Sequence, residues 1–372
     1  MIGQRVRVAA GVGVLVGVVT VGVAVPGPAE AAQPGQARRV GVLTGADSVN
    51  ATQARYLVKG TDLGILWADA RGQVLVAFGD TFGPGWAGPG SEVHDPAGSD
   101  WRSNTLARSS DHHLGDGMAL TDFVIDRPGH AKELLASFKQ DWDEITKIPT
   151  GGVNVGGRNY LAYMSVRHFG ASGQWFTNYG GIAYSDDDGQ TWVDVPSAGR
   201  VNTPSFDDHF QMISFARRDG FVYAFGTPNG RSGQAYVARV PEQHLLDLST
   251  YEYWTGTAWQ RGASAIAAPI MPGPVGELSV RYDPTLRSWE MMYFDEPQAA
   301  IVVRLAPQPT GPWGTPVPVA TSQQYPTLYG GFLHPDSRGS DIYFTMTQYD
   351  RYNVSLMHAT LPTGEKHNTR AP

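Results

Sequence analysis

The octapeptide SDDDGQTW, residues 185–192, is the stretch of this sequence that most narrowly predicts its fold. It fits the Asp box, S-x-D-x-G-x-T-W, in which an Asp and a Gly form a tight hairpin turn and the Trp wedges between neighbouring sheets. Asp boxes are found chiefly at the hairpins of β-propeller blades. Because this turn points away from a propeller's central funnel, the motif predicts structure and carries no information about catalysis.

On both sides of the Asp box, the chain repeats a pattern of short strands and turns. Apolar runs such as residues 64–67 and 74–78 are closed by Gly, Asp or Pro, which is typical of hairpins. Strand-rich segments return about every 50 to 60 residues, which predicts an all-β fold, specifically a five-bladed β-propeller. A pair of β-sandwiches is the alternative. Only residues 131–138 and 241–248 have a pattern that suits a helix.

The composition excludes several classes of protein. With 372 residues, 41% hydrophobic and 11% aromatic, the chain is too apolar and too aromatic to be disordered. It contains no Cys, which excludes disulfides, zinc–thiolate sites and thiolate nucleophiles. The formal net charge of −7 argues against nucleic acid as a partner.

The N-terminal residues have the pattern of a secretory signal. Arg5 and Arg7 precede an apolar run at residues 8–25, and a small-residue A-x-A site ends at Ala31. We therefore expect residues 1–31 to be a signal peptide that is removed on export. A membrane anchor is the alternative, since the run is nearly long enough to span a bilayer.

The remaining chain is expected to form one domain. We predict a flexible lead at residues 32–39, a single β-propeller catalytic domain at residues 40–362 and a flexible tail at residues 363–372. No second apolar stretch could cross a membrane. The expected product is a secreted or cell-envelope protein that is monomeric and makes no stable membrane association.

Two aspartates are the strongest candidates for chemistry. Asp62 lies within one apolar strand and Asp80 ends the next, and the turn at residues 69–72 folds the two strands into a hairpin. Both carboxylates can then reach the same end of one blade. Paired carboxylates beside aromatic residues are typical of glycosidases, in which one protonates the leaving oxygen and the other activates water or attacks carbon. For either residue alone, capping of a turn is the alternative.

Other polar and aromatic side chains suit sugar hydroxyls and sugar rings. The residues expected to bind substrate are Arg102, Asn104, Glu144, Trp175, Asn178, Gln211, Arg231, Glu277, Tyr329 and His334. A salt bridge to Arg281 or Arg304 is the alternative role for Glu277. For His334 the alternative is a buried histidine with its hydrogen bonds satisfied. No metal site and no cofactor are expected, because the sequence lacks HExxH and Cys/His spacings and a complete phosphate loop.

Several motifs together resemble a known family. The stretches GTDLG at residues 60–64, AFGDTFG at 77–83, WRSN at 101–104 and GELSVRY at 276–282 look like those of an actinobacterial secreted family. That family was long catalogued only as a domain of unknown function, and the resemblance spans residues 40–361. Its members are endo-D-arabinanases, glycoside hydrolases that cut the D-arabinofuranose polymer of mycobacterial arabinogalactan and lipoarabinomannan. Their fold is a five-bladed β-propeller.

The resemblance implies that Asp62 and Asp80 carry catalysis and that a D-arabinan polysaccharide is the substrate. Partial desolvation by Phe78 and Phe82 favours Asp80 as the acid, which leaves Asp62 as the base or nucleophile. The sequence departs from the family pattern at residues 206–212, so the family's substrate contacts are not carried over to that loop.

Two other functions fit parts of the sequence. A propeller lectin would use the same aromatic residues to bind glycan without cutting it. A sialidase-like exo-glycosidase would need three clustered arginines to grip a carboxylate, for which Arg102, Arg231 and Arg281 are the candidates.

Overall fold

The computed structural model describes residues 35–91 and 97–362. The predicted signal peptide, the first residues of the predicted lead and the predicted tail lie outside the described residues. Within the described part, nearly all regular structure is antiparallel β-sheet, and the α-helical part is the short α1 (Thr52–Tyr56). No helix in residues 35–91 and 97–362 is long and apolar enough to cross a membrane.

Five antiparallel sheets of four or five strands form five blades, which confirms the predicted propeller. From the innermost strand outward, blade 1 contains β2 (Gly60–Ala68), β3 (Val74–Phe82), β4 (Thr105–Ser109) and β5 (Asp122–Phe123). Blade 2 contains β8 (Thr146–Val155), β9 (Arg158–Phe169), β10 (Trp175–Ser185) and β11 (Val193–Asp194), with β12 (Arg200–Val201) also paired to β10. Blade 3 contains β13 (Met212–Arg218), β14 (Phe221–Thr227), β15 (Tyr236–Pro241), β16 (Glu252–Trp254) and β17 (Trp259–Arg261). Blade 4 contains β18 (Leu278–Asp283), β19 (Ser288–Asp295), β20 (Ala300–Ala306) and β21 (Val317–Thr321). Blade 5 contains β22 (Leu328–Leu333), β23 (Asp341–Gln348), β24 (Asn353–Thr360) and β1 (Arg38–Val42).

The ring of blades is closed by the two ends of the described chain. The innermost strands β2, β8, β13, β18 and β22 contact one another in a closed cycle. Blade 5 takes its first three strands from the C-terminal part, while β1 pairs with β24 as its outermost strand. Because β1 begins at Arg38, residues 38–39 belong to the sheet and not to a flexible lead as we expected.

Smaller elements connect the blades. A hairpin of β6 (Ile125–Arg127) and β7 (His130–Ala131) lies between blades 1 and 2 in the chain. Short 3₁₀ turns occupy Pro196–Ala198, Glu242–His244, Leu248–Thr250 and Ser264–Ile266. The helix expected at residues 131–138 is therefore wrong, and the one expected at 241–248 is reduced to single 3₁₀ turns at its two ends.

The Asp box forms the turn between β10 and β11 in blade 2. Asp187 Oδ1 accepts hydrogen bonds from the Ser185 hydroxyl and the Thr191 amide, each at 2.8 Å, and the Thr191 hydroxyl donates to Asp187 Oδ2. Trp192 then packs edge-on against Trp67 of blade 1, with 6.5 Å between ring centroids. The motif therefore joins two blades, which is the structural role that the sequence predicted.

Hydrophobic cores lie between successive sheets and hold the blades face to face. One core joins blades 2 and 3, another joins blades 3 and 4, and a third joins blades 5 and 1. All nine residues of β3 are buried, as expected for a strand covered on both faces. Trp67 lies directly over Gly152 of blade 2, where a Cβ would collide with the indole ring.

Candidate active site

A cavity of about 730 Å³ lies at the end of the propeller where the innermost strands begin. All five blades contribute to its lining, through residues such as Asp62, Ile148, Met212, Leu278 and Tyr329. The lining is mainly apolar and aromatic, with a few converging polar groups. Both the volume and this composition are typical of ligand-binding clefts.

The hairpin of β2 and β3 places both predicted catalytic aspartates at this cavity. Pairing between the strands skips from Thr61 to Leu63, so Asp62 lies opposite Gly79 and Asp80 in a β-bulge. Leu63 has a φ of 68°, a left-handed conformation that is costly for a leucine. A Cβ on Gly79 would collide with Asp62 Oδ1, so this position needs glycine. The bulge thus brings two acids eighteen positions apart in the chain to the same cavity wall.

Asp62 sits in an environment that favours its protonated form. It is 7% exposed, and the Tyr329 hydroxyl donates to its Oδ2 at 2.9 Å. Burial raises the pKa of Asp62 from 3.8 to about 8, and the negative charge of Asp80 adds to this rise. Hydrogen bonds from Tyr329 and Tyr352 act in the opposite direction, while Glu277 contributes a further small rise. Asp62 therefore carries a proton at neutral pH.

Asp80 is held in a different way. It is 6% exposed, and its Oδ1 accepts hydrogen bonds from the Trp101 indole at 2.7 Å and the Thr146 hydroxyl at 2.5 Å. Two donors on one oxygen stabilise a negative charge on this carboxylate. The hydrogen bonds on Asp80 thus favour its charged form, whereas burial favours the protonated form of Asp62, the reverse of the protonation expected from Phe78 and Phe82.

An ion pair forms a second polar patch in the cavity. Arg231 Nη2 lies 2.7 Å from Glu277 Oε1, and Arg231 Nε donates to both carboxylate oxygens of Glu277 at 3.2 Å. The Arg231 guanidinium also lies over the rings of Phe294 and Tyr329, at 5.0 and 5.4 Å from their centroids. The partner of Glu277 is therefore Arg231, a residue of blade 3, and neither arginine that the sequence suggested.

Aromatic rings cover the cavity wall beside Asp80. Phe82 and Tyr352 line the cavity, with their ring centroids 5.7 Å apart. Behind them Trp86 stacks on Phe82 at 5.1 Å, and Trp101 lies 5.9 Å from the same ring. Such faces can pack against the apolar side of a sugar ring.

The predicted site residues divide into two groups. Those that line the cavity are Asp62, Asp80, Trp175, Arg231, Glu277 and Tyr329. Those that the structure places outside its lining are Arg102, Asn104, Glu144, Asn178, Gln211 and His334.

Arg102 and Asn104 organise a connecting loop instead of facing the cavity. Arg102 donates to the backbone carbonyls of Leu57 at 2.8 Å and Ala131 at 3.3 Å. Asn104 is fully buried, and its amide group both donates to the carbonyl and accepts from the amide of Leu135. The hydrogen bonds of these side chains go to the backbone between blades 1 and 2, which they hold in place.

Glu144, Asn178 and Gln211 are hydrogen-bonded within or beside blade 2. Glu144 Oε2 accepts from the Ser165 hydroxyl at 2.6 Å, and Asn178 Nδ2 donates to the same hydroxyl at 3.1 Å. Gln211, which is fully buried, accepts from the Thr177 hydroxyl at 2.7 Å. Their partners are side chains of the propeller, so the structure does not bring them to the two aspartates.

His334 is buried beyond the end of β22. Its Nδ1 accepts from the Asp336 amide at 3.1 Å, whereas its Nε2 has no hydrogen-bond partner among the described residues. Burial lowers the pKa of His334 to about 4, so the ring is neutral. In residues 35–91 and 97–362 no group of three or more His, Cys, Asp or Glu side chains is placed to hold a metal ion.

The three arginines of a sialidase-like site are not brought together. Arg231 lines the cavity, but Arg102 is committed to backbone carbonyls. Arg281 forms ion pairs with Glu290 at 2.5 Å and Asp283 at 3.1 Å. The structure therefore removes the basis for the sialidase-like alternative.

Sequence reasoning missed several residues that line the cavity or hold the side chains that do. Thr146 binds Asp80, Phe294 lies under Arg231, and Glu296 is 3.6 Å from Arg231 at the cavity wall. An acidic residue directly after a strand is a signal that could have identified Glu296. Thr146 and Phe294 carry no such signal, because their role depends on contacts between blades.

Two fungal proteins are related to this chain over most of its length. Notoamide biosynthesis cluster protein J of Aspergillus sp. (strain MF297-2) is 30% identical over 79% of this chain and 81% of the relative. Notoamide biosynthesis cluster protein J′ of Aspergillus versicolor is 32% identical over 77% of this chain and 79% of the relative. Relatives of the chain are therefore not confined to actinobacteria.

Solved structures share the fold at low sequence identity. A candidate hydrolase from Bacteroides ovatus ATCC 8483 matches with a TM-score of 0.55 and 14% identity, over 83% of this chain and 88% of that one. Zg3597, a family 117 glycoside hydrolase of the marine bacterium Zobellia galactanivorans, matches with a TM-score of 0.51 and 13% identity. That match covers 87% of this chain and 90% of Zg3597.

The family assignment follows from the sequence of the propeller domain itself. The family described as DUF4185, a domain of unknown function, matches residues 47–358. This range includes both cavity aspartates and all the described strands except β1 and the last residues of β24. This chain belongs to the DUF4185 family.

Proposed function

We propose that this protein is a glycoside hydrolase that cuts within D-arabinofuranose polymers, with Asp62 and Asp80 as its catalytic pair. The observation that carries the proposal is the β-bulge at Asp62, which sets a protonated carboxyl and a charged carboxylate side by side in one cavity. Glycosidic cleavage needs one acid that can donate a proton and one carboxylate that can act as base or nucleophile.

The two carboxyl groups divide the chemistry between them. Asp62 gives its proton to the glycosidic oxygen as the bond to the leaving sugar breaks. The resulting anion accepts the hydrogen bond that Tyr329 already makes to Asp62 Oδ2. Asp80, oriented by Trp101 and Thr146, either activates a water molecule or attacks the anomeric carbon. The negative charge of Asp80 stabilises the positive charge of the oxocarbenium-like transition state.

Support for this reaction and for this substrate comes from different observations. Hydrolysis is supported by the carboxyl pair and by the fold shared with Zg3597, a family 117 glycoside hydrolase. D-arabinan as the substrate is supported by the motifs at residues 60–64, 77–83 and 101–104, which resemble those of endo-D-arabinanases. The first two motifs form the hairpin that carries the catalytic pair.

Export of the protein is part of the same proposal. The signal-like pattern of residues 1–31 supports it, and a cell-wall polysaccharide would be met outside the cell. A mature chain recovered from the culture medium that begins near residue 32 would agree with export, whereas an intact N-terminus on a cell-bound protein would not.

The activity assay uses purified mycobacterial arabinogalactan. We expect the wild-type protein to generate new reducing ends and to release arabino-oligosaccharides of several sizes. Asp62→Asn and Asp80→Asn should each lower the rate by about 10³-fold or more while remaining folded, because each removes an acid–base or nucleophilic group. Asp219→Asn is the matched control, because Asp219 is 73% exposed in the turn between β13 and β14 and does not line the cavity.

The same assay separates the alternatives. Saturable binding to arabinogalactan without new reducing ends would identify a lectin and refute the hydrolase. Release of single sugars alone would refute endo action. Unchanged rates in both aspartate variants would refute the assignment of Asp62 and Asp80.

A further inference from the structure

A cluster of aromatic rings lies on blade 2 outside the cavity. Trp142 stacks on His168 with 4.0 Å between ring centroids and an interplanar angle of 15°. Phe176 lies 6.2 Å from both of these rings, and Phe206 meets Phe176 edge-on at 4.9 Å. We call Trp142, His168, Phe176 and Phe206 the aromatic platform. Trp142 is 55% exposed although His168 covers one side of it, so its indole presents a free surface to solvent.

Two members of the aromatic platform have strained backbone conformations. Trp142 has a φ of 63° and Phe206 a φ of 59°, both in the left-handed region that bulky residues rarely adopt. The Trp142 amide donates to the carbonyl of Arg167 at 2.9 Å and to Asp141 Oδ1 at 3.1 Å, which fixes the strained turn. Strained conformations of this kind cluster at functional sites, and an exposed tryptophan gains little stability from its position.

The aromatic platform lies next to the cavity, at the tip of the hairpin formed by β9 and β10. His168 pairs with Phe176 across β9 and β10, next to the pair formed by Phe169 and Trp175. Phe169, Trp175 and the loop at residues 170–174 between them line the cavity. Because successive residues of a strand point to opposite faces of the sheet, His168 and Phe176 lie on the other face of the hairpin from Phe169 and Trp175. A polysaccharide that leaves the cavity therefore reaches the platform by crossing the loop at residues 170–174.

The chemistry around the platform suits a neutral, hydroxyl-rich polymer. Aromatic faces pack against the apolar faces of sugar rings. Asp141, whose side chain is 56% exposed, accepts a hydrogen bond from His168 Nδ1 at 2.6 Å and offers a second oxygen to hydroxyl groups. Stacked rings can also bind nucleic acid bases, but a carboxylate at the platform and a net charge of −7 disfavour a polyanion.

We propose that the aromatic platform of Trp142, His168, Phe176 and Phe206 is a remote binding site for the polysaccharide chain that runs out of the cavity. The inference rests on the proposed function for the identity of the chain. The platform would hold several sugars of a long substrate while the bond to be cut lies at Asp62 and Asp80. Short substrates, which do not reach it, would not benefit from its contacts.

The test compares Trp142→Ala with Trp142→Tyr, which keeps an aromatic face, and with Leu305→Ala as the control. Leu305 is 38% exposed on β20 of blade 4 and lies outside the cavity lining. For Trp142→Ala we expect kcat/KM on arabinogalactan to fall about ten-fold, the loss expected for one aromatic contact. On arabino-oligosaccharides too short to leave the cavity the fall should be no more than about two-fold. Trp142→Tyr should retain most of the activity on the polymer.

A binding measurement makes the platform testable without turnover. Each variant is combined with Asp80→Asn and run in native gels that contain arabinogalactan. The polymer should retard the Asp80→Asn parent and the Leu305→Ala variant equally, and the Trp142→Ala variant should run faster than both. Equal retardation of all variants, or equal losses on polymer and short substrates, would overturn the platform. If the wild type does not hydrolyse arabinogalactan but its retardation still depends on Trp142, only the proposed function is overturned.

Discussion

At the scale of single residues, the charge state of Asp62 decides whether the pair can work. Asp62 must be protonated to act as the acid, so activity should disappear as pH rises through its pKa of about 8. Two neighbours push that pKa in opposite directions. The Tyr329 hydroxyl stabilises the anion and lowers the pKa, while the negative charge of Glu277 raises it.

Opposite shifts of the pH profile are therefore predicted for two single variants. Tyr329→Phe removes a hydrogen bond to the anion, so the basic limb of kcat/KM should move to higher pH. Glu277→Gln removes a negative charge near Asp62 and leaves Arg231 paired with Glu296 at 3.6 Å, so the limb should move to lower pH. Rates measured between pH 5 and about pH 10 on one substrate check both. Shifts in the same direction, or none, would contradict the assignment of Asp62 as the acid.

The candidate pair was predictable from sequence, but its division of roles was not. Asp62 and Asp80 could be paired because the turn at residues 69–72 lies between their strands. The pKa of Asp62 is raised by burial inside the ring of blades and lowered by the hydrogen bond from Tyr329, which is 267 positions away in the chain. Phe78, which seemed to desolvate Asp80, instead stacks on Phe123 at 5.5 Å in the core between blades. In a regular strand Phe78 and Asp80, two positions apart, would share one face, but the β-bulge at residues 79–80 turns them to different sides.

At the scale of elements, the turn of the Asp box should contribute to stability without contributing to catalysis. Gly189 has a φ of 83°, and a Cβ there would collide with Leu106, which is fully buried. Gly220 has a similar φ of 79° with open space around it. An alanine at Gly220 therefore measures the cost of the left-handed backbone alone, whereas an alanine at Gly189 adds the cost of crowding.

We predict that Gly189→Ala lowers the free energy of unfolding by more than Gly220→Ala does. Left-handed strain should cost both variants about 1–2 kcal/mol. Crowding against Leu106 should cost Gly189→Ala a further 1–3 kcal/mol or so, because the core cannot expand freely. Denaturant titration measures both values, and kcat should stay at the wild-type value. Equal destabilisation would show that Leu106 yields, and a loss of kcat would contradict a purely structural turn.

The sequence predicts the strands and turns that depend on local pattern, but not the segments whose backbone is fixed by side chains distant in the chain. The hairpins that form the blades follow alternation and turn residues, and the Asp box falls at a blade hairpin. Residues 131–138 have helical composition, but the Asn104 side chain accepts from the amides of Leu134 and Leu135. Those long-range hydrogen bonds satisfy the backbone without a helix, which overrides local propensity.

At the scale of the whole molecule, closure of the ring depends on both ends of the described chain. β1 covers the edge of β24, and the amides of Gly35 and Ala37 donate to Thr360 and Val319. Removing β1 would expose the edge of a strand and part of the core between blades 5 and 1.

A chain that begins at Leu43 should therefore have a lower Tm than the full protein and should aggregate on heating. A chain that begins at Gly35 keeps the contacts described above and should match the full protein, which makes it the control. Thermal unfolding and size-exclusion chromatography check both. An unchanged Tm for the shorter chain would show that four blades and a three-stranded fifth close without β1.

Titration of the Asp62 side-chain carbon by ¹³C NMR would show whether the cavity holds one protonated and one charged carboxyl group at neutral pH. The signal is assigned from its loss in Asp62→Asn and followed from pH 4 to about pH 10. We expect an apparent pKa of about 8, so that the resonance moves to its ionised position only above neutrality. A midpoint near the ordinary value of about 4 would show that Asp62 is ionised at neutral pH and would contradict its role as the acid.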